Sequence, residues 1–166
     1  MGRRLVDAPE VPLRTAAKIR VIYGDTDRMG VVYHATYLRY LEHARVEFIR
    51  SLGFAYADLE RSGVGLPVTD LSVSYQQPAT YDDIVTVEVG LLKLSWARLH
   101  FAYRVTVQPG DRHEFEGPDP IVVLYARTHH GCLDMNEKRA TRLPEDVYDL
   151  IEAYRDQAAA NHEPSS

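Results

Sequence analysis

The chain has 166 residues, with 19 basic and 24 acidic side chains and a formal net charge of −5 at pH 7. This length suits one domain with a sizeable core, and a content of 45% hydrophobic and 26% charged residues is typical of a folded globular protein, not of a disordered chain. The mild acidity argues against general nucleic-acid binding, and no stretch approaches the roughly 18 apolar residues of a membrane span.

The pattern along the chain predicts a strand, a long helix, four more strands and a closing helix. Residues 18–23 alternate between polar and apolar side chains, which indicates a short strand. From Thr36 to Leu52 apolar residues recur at spacings of three and four, the period of a helix, and Gly53 suits its C-cap. Further strands are predicted over residues 71–75, 84–92, 97–107 and 121–133, and a second helix over residues 144–157.

This order of elements favours an α+β fold. A βαβ alternation is absent, which argues against a doubly wound parallel sheet and favours a curved, mainly antiparallel sheet around the helix of residues 36–52. The strands of residues 84–92 and 97–107 form an antiparallel hairpin in this arrangement. Such a sheet leaves a free edge, which a second copy of the chain would cover, so we expect a homo-oligomer.

The termini and the cysteine content suggest a cytoplasmic protein. Cys132 is the one cysteine, so no intrachain disulfide can form, and paired Cys/His motifs for a metal are absent. Asp7 and Pro9 interrupt the region where a signal peptide needs an apolar core. We expect residues 1–16 to be a flexible arm, residues 17–157 to form the single domain and residues 158–166 to be a disordered tail.

The loop of residues 23–34, YGDTDRMGVVYH, is the candidate site. It holds two carboxylates, Asp25 and Asp27, and leads into the start of the long helix. Unpaired N–H groups in the first turn of a helix can polarise a carbonyl, and a nearby carboxylate can act as base or nucleophile. These are the parts of a thioester-hydrolysis site, although a turn with a favourable charge at a helix start explains the same pattern.

Residues 23–49, YGDTDRMGVVYHATYLRYLEHARVEFI, resemble the opening block of the 4-hydroxybenzoyl-CoA thioesterase branch of the hotdog-fold acyl-CoA thioesterases. Residues 74–89, SYQQPATYDDIVTVEV, are similar to the second block of that branch, and residues 97–105 fit the strand that follows. The nearer subgroup looks like the short-chain and aromatic acyl-CoA thioesterases, including the type encoded beside bacterial Tol-Pal genes. The resemblance implies a hotdog fold and a homodimer or homotetramer with sites at subunit contacts.

The resemblance also implies the reaction and its catalytic residues. An acyl-CoA thioester would be hydrolysed to a carboxylate and free CoA, with no metal or redox cofactor. The catalytic carboxylate of the family falls on Asp27, as nucleophile or general base, while Asp25 falls on a structural position. The side chain of His34 could orient the carbonyl or a water molecule.

The substrate-binding positions carried over in the same way are Gly30, Val32, Tyr33, Ala35, Tyr37, Lys93 and Arg98. The glycine lets the loop backbone approach the ligand, and N–H groups near Tyr33, His34 and Ala35 would polarise the thioester carbonyl. Tyr37 would line the acyl pocket together with Tyr40. Lys93 and Arg98 flank the predicted hairpin turn, where cations from a neighbouring subunit could meet the phosphates of CoA.

Several alternatives remain open at this point. Glu42 could be a catalytic base on the helix, but an ion pair with Arg45 or Arg39 at helical spacing is the favoured interpretation. His129 and His130 alternate on a strand, so one of them faces outward. A thioesterase acting on acyl-carrier-protein thioesters and a non-catalytic acyl-CoA-binding module are the rival functions, and the intact Asp-x-Asp…Gly block disfavours the second.

Overall fold

Five antiparallel strands packed around one long helix organise the chain, as the sequence predicts. The computed structural model describes residues 6–115 and 117–162. Its elements are β1 (Arg14–Arg20), α1 (Thr36–Ser51), α2 (Tyr56–Arg61), β2 (Val64–Gly65), β3 (Val68–Tyr75), β4 (Ile84–Ser95), β5 (Arg98–Val107), β6 (Ile121–Gly131), β7 (Leu133–Asp134), β8 (Arg139–Ala140) and α3 (Glu145–His162). The main sheet has the order β1-β4-β5-β6-β3, and β2, β7 and β8 form a small second sheet.

The helix α1 supplies the centre of the core. Tyr37, Leu41 and Phe48 are at most 2% exposed, because they lie on a broad apolar face that the sheet covers. In β4 and β5 the alternate residues point to the same side, so residues such as Val87 and Phe101 are buried against the helix. The fold is therefore the α+β arrangement expected of a hotdog protein.

The two ends of β4 carry different parts of the molecule. At one end the loop after β1 meets the segment before β4, where the Val21 N–H donates to the Asp83 carbonyl at 2.8 Å. At the other end Ser95 pairs with Arg98 across the β4–β5 turn. β4 contains 12 residues, which corresponds to a length of about 36 Å. The loop of residues 23–34 and the hairpin turn thus lie at opposite ends of β4.

The segment before β1 packs on the sheet, which corrects the expectation of a flexible arm up to residue 16. β1 already begins at Arg14, which pairs with Val89, and Val6 is buried. A Cβ atom at Gly90 would lie 2.6 Å from the Pro12 carbonyl oxygen, so the glycine permits this close approach. Residues 1–5 lie outside the described part of the chain.

The other element boundaries differ as well: β3 begins at Val68 instead of residue 71, and β4 ends at Ser95 instead of residue 92. β1 ends at Arg20, short of the predicted residue 23, because residues Tyr23–Asp25 form a single 3-10 turn. The helix α3 continues to His162, so residues 158–162 of the predicted tail are helical, while residues 163–166 are not described. The short helix α2 and the strands β2, β7 and β8 were not predicted, since two to six residues give too little periodicity to detect.

A buried ion pair fixes the loops at the end of the sheet that carries Asp27. Asp83 is 1% exposed, and its Oδ2 accepts hydrogen bonds from the Thr80 N–H at 2.7 Å and from Arg112 Nη2 at 2.6 Å. Arg112 also donates to the Pro78 carbonyl at 3.0 Å. The loop after β5 is thereby tied to the segment before β4. Residues 31 and 32 pair with the same segment.

We expect the Arg112→Met variant to lose about 3 kcal/mol of unfolding free energy, because removing one partner leaves the other charge buried and uncompensated. Equilibrium unfolding in urea measures this loss. Arg155→Met is the control, since Arg155 makes exposed ion pairs in α3 and its removal should leave the unfolding midpoint unchanged. Equal midpoints for the two variants would contradict the assigned role of the Asp83–Arg112 pair.

Candidate active site

The loop between β1 and α1 is a tight, internally bonded structure. Thr26 and Val32 form an antiparallel bridge, and the Asp27 N–H donates to the Val31 carbonyl at 2.9 Å. Gly30 has φ of +76°, in the left-handed region that glycine adopts without strain, and its N–H donates to the Asp27 carbonyl at 3.0 Å. The backbone conformation thus explains why a glycine occupies position 30. Asp27 lies at the start of this turn of the chain.

Asp25 is the structural carboxylate of the pair. It is 4% exposed and accepts three hydrogen bonds, from the Ile22 N–H at 3.1 Å, the Tyr40 hydroxyl at 2.7 Å and Arg39 Nη2 at 2.6 Å. Burial, followed by the hydrogen bond to the Asp25 carboxylate, raises the pKa of the Tyr40 hydroxyl, so this group remains a donor. Asp25 therefore joins the loop to α1 and, because it is buried, does not line the cleft.

Asp27 has the opposite environment. Its side chain is half-buried, and Oδ1 accepts the Met29 N–H at 2.7 Å in an Asx turn. In the part of the chain that the structure describes, Oδ2 has no hydrogen-bond partner. The carboxylate borders an open cleft whose other lining residues are Tyr23, Gly24, Thr26, Arg28, Tyr33 and Thr36. One oxygen is thus held in place while the other can accept a proton or attack a ligand.

The start of α1 borders the same cleft but supplies fewer donors than we expected. The N–H of Tyr33 donates to the Asp25 carbonyl at 2.9 Å, and that of Val32 donates to the Ala79 carbonyl at 2.9 Å. These two amides are occupied because the loop backbone pairs with its neighbours. Among the described residues, the N–H groups of His34 and Ala35 have no acceptor, so they are among the free donors at the N-terminus of the helix.

His34 and Tyr37 border a second, small cavity of about 170 Å³ beside the loop. The ring of His34 lies against that of Tyr33, with centroids 4.3 Å apart, and its carbonyl accepts the Tyr75 hydroxyl at 2.7 Å. Tyr37 is 2% exposed, and its hydroxyl accepts the Ala79 N–H at 3.0 Å. Burial raises the pKa of Tyr37, which therefore stays neutral and forms a wall of this cavity.

Lys93 and Arg98 do not lie near Asp27 in the same chain. Lys93 is exposed near the end of β4 and pairs across the strands with His100, while Arg98 begins β5. The ring of Trp96, in the turn between them, stacks on Tyr148 of α3 with centroids 3.9 Å apart. A joint role of these cations with Asp27 consequently requires a second copy of the chain.

The expected ion pair of Glu42 is not formed. Arg39 binds Asp25, and the structure shows no ion pair of Glu42 within residues 6–115 and 117–162. Arg45 is instead buried, with Nη1 3.4 Å from Nδ1 of His130. The prediction failed because a one-dimensional spacing does not show which charged residues of a helix turn toward the sheet.

The two histidines of β6 face opposite sides of the sheet, as expected from their alternation. His129 stacks on His100 with ring centroids 3.8 Å apart, whereas His130 is 1% exposed. The described residues contain no group of three or more side chains suited to bind a metal ion. Sequence reasoning missed the contact of His130 with Arg45, since the two residues are 85 positions apart.

Comparison with known proteins relates most of the chain to one family. Residues 21–151 match the Thioesterase-like superfamily. The chain is 30% identical over 130 residues to the acyl-CoA thioesterase YbgC of Haemophilus influenzae, a match that covers 78% of this chain and 88% of that protein.

Two solved structures show the same fold. The DHNA-CoA thioesterase from Staphylococcus aureus is 31% identical, with a TM-score of 0.74 and coverage of 90% of this chain and 94% of that chain. A variant of 4-hydroxybenzoyl-CoA thioesterase, solved with 4-hydroxybenzoyl-CoA, is 23% identical, with a TM-score of 0.71 and coverage of 84% of this chain and 98% of that chain. At this identity the second likeness shows the fold alone.

The two carboxylates of the loop should respond differently to neutralisation. We expect Asp25→Asn to lower the unfolding free energy by about 2 kcal/mol, because a buried acceptor of three hydrogen bonds loses its charge. Asp27→Asn should change it by less than about 1 kcal/mol, because the Asn side-chain oxygen can still accept the Met29 N–H. Urea unfolding of both variants measures the difference, and equal losses would contradict the division of roles.

Proposed function

This chain belongs to the Thioesterase-like superfamily, and we propose that it hydrolyses short-chain or aromatic acyl-CoA thioesters with Asp27 as the catalytic carboxylate. Thioester hydrolysis is the activity of this family of enzymes. The relatives of this chain include proteins named acyl-CoA thioesterases. One observation carries the catalytic assignment: the Asp27 carboxylate is fixed through Oδ1 at an open cleft that Thr36, the first residue of α1, also lines. The Tol-Pal-associated thioesterases are the subgroup that we propose as the nearest.

The geometry supports a hydrolytic step in which the carboxylate and the helix start act on the same carbonyl. The free N–H groups and the partial positive charge of the helix N-terminus would stabilise the negative oxygen that forms when the thioester carbonyl is attacked. As a general base, Asp27 takes a proton from water, the hydroxide oxygen bonds to the carbonyl carbon and the C–S bond breaks. The CoA thiolate then takes up the proton, and a carboxylic acid remains.

Asp27 as a nucleophile gives the same products by two steps. Its oxygen would attack the thioester, expel the CoA thiolate and form a mixed anhydride, which water then hydrolyses. The half-buried carboxylate with one unbonded oxygen suits either role. In both routes water is the only co-reactant, so we propose that the reaction needs no metal or redox cofactor.

The exposed edge of the sheet at β3 supports a proposal of assembly. β3 is one end of the order β1-β4-β5-β6-β3, and Val68, Leu71 and Tyr75 on it are 53%, 40% and 48% exposed. An apolar strand edge of this kind invites pairing with another strand. We propose a homodimer through β3, alone or as half of a tetramer, in which the Lys93 and Arg98 side chains of one copy serve the CoA phosphates at the other.

The remaining proposals concern the cellular location and the partners of the enzyme. The described helices include none that is long and apolar enough to cross a membrane. We propose a cytoplasmic location, because CoA thioesters occur in the cytoplasm and its reducing conditions would keep Cys132 as a thiol. Small CoA thioesters and a second copy of the chain are the partners proposed, and nucleic acid is not among them.

Replacement of Asp27 by Asn tests the catalytic proposal. We expect kcat/KM for the best acyl-CoA substrate to fall by at least about 100-fold, because the variant keeps the shape of the side chain but neither binds the proton nor attacks the carbonyl. Thiol release from short-chain, longer-chain and aromatic CoA esters measures the rate, and the buried Cys132 adds little thiol background. Asp58→Asn, in the exposed turn of α2, is the control.

Three outcomes would point elsewhere. Wild-type rates in the Asp27→Asn variant would remove Asp27 from the mechanism. Turnover of acyl-carrier-protein thioesters without turnover of CoA esters would identify the carrier-protein thioesterase instead. Tight binding of CoA esters without any release of thiol would identify a binding module.

A charge on the β3 edge tests the assembly. We expect Leu71→Lys to shift the protein from dimer or tetramer to monomer, because lysine on a strand edge opposes pairing with a second strand. Light scattering coupled to size exclusion measures the mass. Leu150→Lys is the matched control, since Leu150 on α3 is also 40% exposed. A wild-type monomer, or an unchanged mass for Leu71→Lys, would rule out assembly through this edge.

A further inference from the structure

A cavity of about 230 Å³ lies between α1, β3 and the sheet, separate from the cleft of Asp27. Its mouth is formed by partly exposed apolar side chains, namely Leu38, Val68 and Leu71. Its floor is polar and buried, with Tyr103, Thr128 and His130 each at most 5% exposed. A cavity of about 150 Å³ can hold a benzene ring, so there is room here for a substantial part of an acyl group.

The polar groups on the floor bond to one another in a chain. The Nδ1 atom of His130 lies 3.1 Å from the Leu66 carbonyl oxygen, which can only accept, so this nitrogen carries the proton. Nε2 then accepts the Thr128 hydroxyl at 2.9 Å, and Thr128 Oγ1 accepts the Tyr103 hydroxyl at 2.8 Å. Burial, and next the charge of Arg45, lower the pKa of His130 to about 4, so the ring is neutral.

Arg45 completes the wall of this cavity and is left without a counterion. It is 7% exposed, and the described residues provide it with no ion pair. Its Nη1 is 3.4 Å from Nδ1 of His130, but a nitrogen that already carries a proton cannot accept from it. Tyr56 contributes only its ring face, 5.7 Å from the guanidinium carbon. A buried cation is costly unless it is paired, so this position calls for an anion.

We propose that this cavity receives the far end of the acyl group and that Arg45 binds a carboxylate there. The guanidinium fork matches a carboxylate with two parallel hydrogen bonds, whereas an alkyl end would leave the charge unpaired. The proposal rests on the proposed thioesterase function and narrows its substrate class to CoA thioesters of dicarboxylic acids. Arg45 is then a specificity residue that touches the substrate without taking part in bond breaking.

The dimensions limit the length of the acyl group. Arg45 is nine residues after the first residue of α1, about 13 Å along the axis, and its side chain slants back toward the helix start by about one turn. The guanidinium therefore lies about 8–10 Å from the donors at the helix N-terminus. An extended chain of roughly six to eight carbons spans this distance.

A small-molecule carboxylate fits the observations better than a side chain of a second copy. The unpaired guanidinium belongs to a cavity whose floor is sunk beneath α1, while the β3 edge that a second copy would cover lies at the mouth. Glu42 of the same helix is exposed at the cavity and forms no ion pair with Arg45 in the described structure. Pairing with a carboxylate of another copy is one outcome of the test below.

Matched substrate pairs test the proposal in the full-length protein. Hexanoyl-CoA and adipoyl-CoA, and likewise octanoyl-CoA and suberoyl-CoA, differ only in the far carboxylate. We expect the wild type to favour the diacid of at least one pair by about tenfold or more in kcat/KM. Arg45→Met should abolish this preference, chiefly through a higher KM for the diacid esters. Arg50→Met, in an exposed pair with Glu47 on the same helix, is the control.

A second variant and a binding measurement keep the test decisive if Arg45→Met does not fold. Arg45→Lys retains the charge but not the fork, so the preference for the diacid should weaken while the protein remains folded. Calorimetric titration of the Asp27→Asn variant with adipoyl-CoA or suberoyl-CoA, against hexanoyl-CoA or octanoyl-CoA, measures binding without turnover. We expect the diacid esters to bind more tightly than the monoacid esters, and only when Arg45 is present.

The outcomes separate the two proposals. Hydrolysis of CoA esters without any preference for a diacid would overturn the role of Arg45 and leave the thioesterase intact. Tighter binding of the diacid CoA esters through Arg45, without hydrolysis of any CoA ester, would support the site and overturn the proposed reaction. Loss of assembly in Arg45→Met, with no diacid preference in the wild type, would show that the cation pairs with a carboxylate of another copy.

Discussion

The buried carboxylate of Asp25 is the constraint on which the geometry of the cleft depends. It receives hydrogen bonds from the backbone of the loop, from Tyr40 and from Arg39, so one side chain fixes the loop against the central helix. Since the backbone between residues 25 and 33 is closed by its own hydrogen bonds, fixing Asp25 also fixes Asp27. The two carboxylates are thus interdependent: Asp25 is buried and bonded within the protein, and this holds Asp27 toward solvent in a defined direction.

Much of this arrangement was accessible from the sequence. The helical spacing from Thr36 onward and the alternation in β4, β5 and β6 are strong signals, because each element buries one face and its period must match the backbone geometry. The family resemblance of residues 23–49 directed attention to the Asp-x-Asp loop, and the structure places Asp27, Gly30 and the start of α1 together there. The catalytic roles themselves remain predictions.

The features that escaped prediction depend on contacts between distant residues. The Tyr33 N–H is occupied because the loop folds back on Asp25, which a motif does not show. Arg45 and His130 meet only in the folded chain, and the isolated spacing on the helix favoured a different partner for Arg45. The early start of β1 follows from the lack of a side chain at Gly90, where residues 11–13 cross the sheet. In each case the contact can be recognised only when the tertiary fold is known.

The stacking of Trp96 on Tyr148 gives the molecule a built-in optical reporter. The chain contains one tryptophan, so its entire indole emission comes from the turn between β4 and β5. That turn holds the hairpin against the terminal helix and is flanked by the two cations considered for the phosphates of CoA. Undocking of α3 and arrival of a nucleotide at this corner would therefore both register as changes in the colour and intensity of a single fluorophore, with no label added.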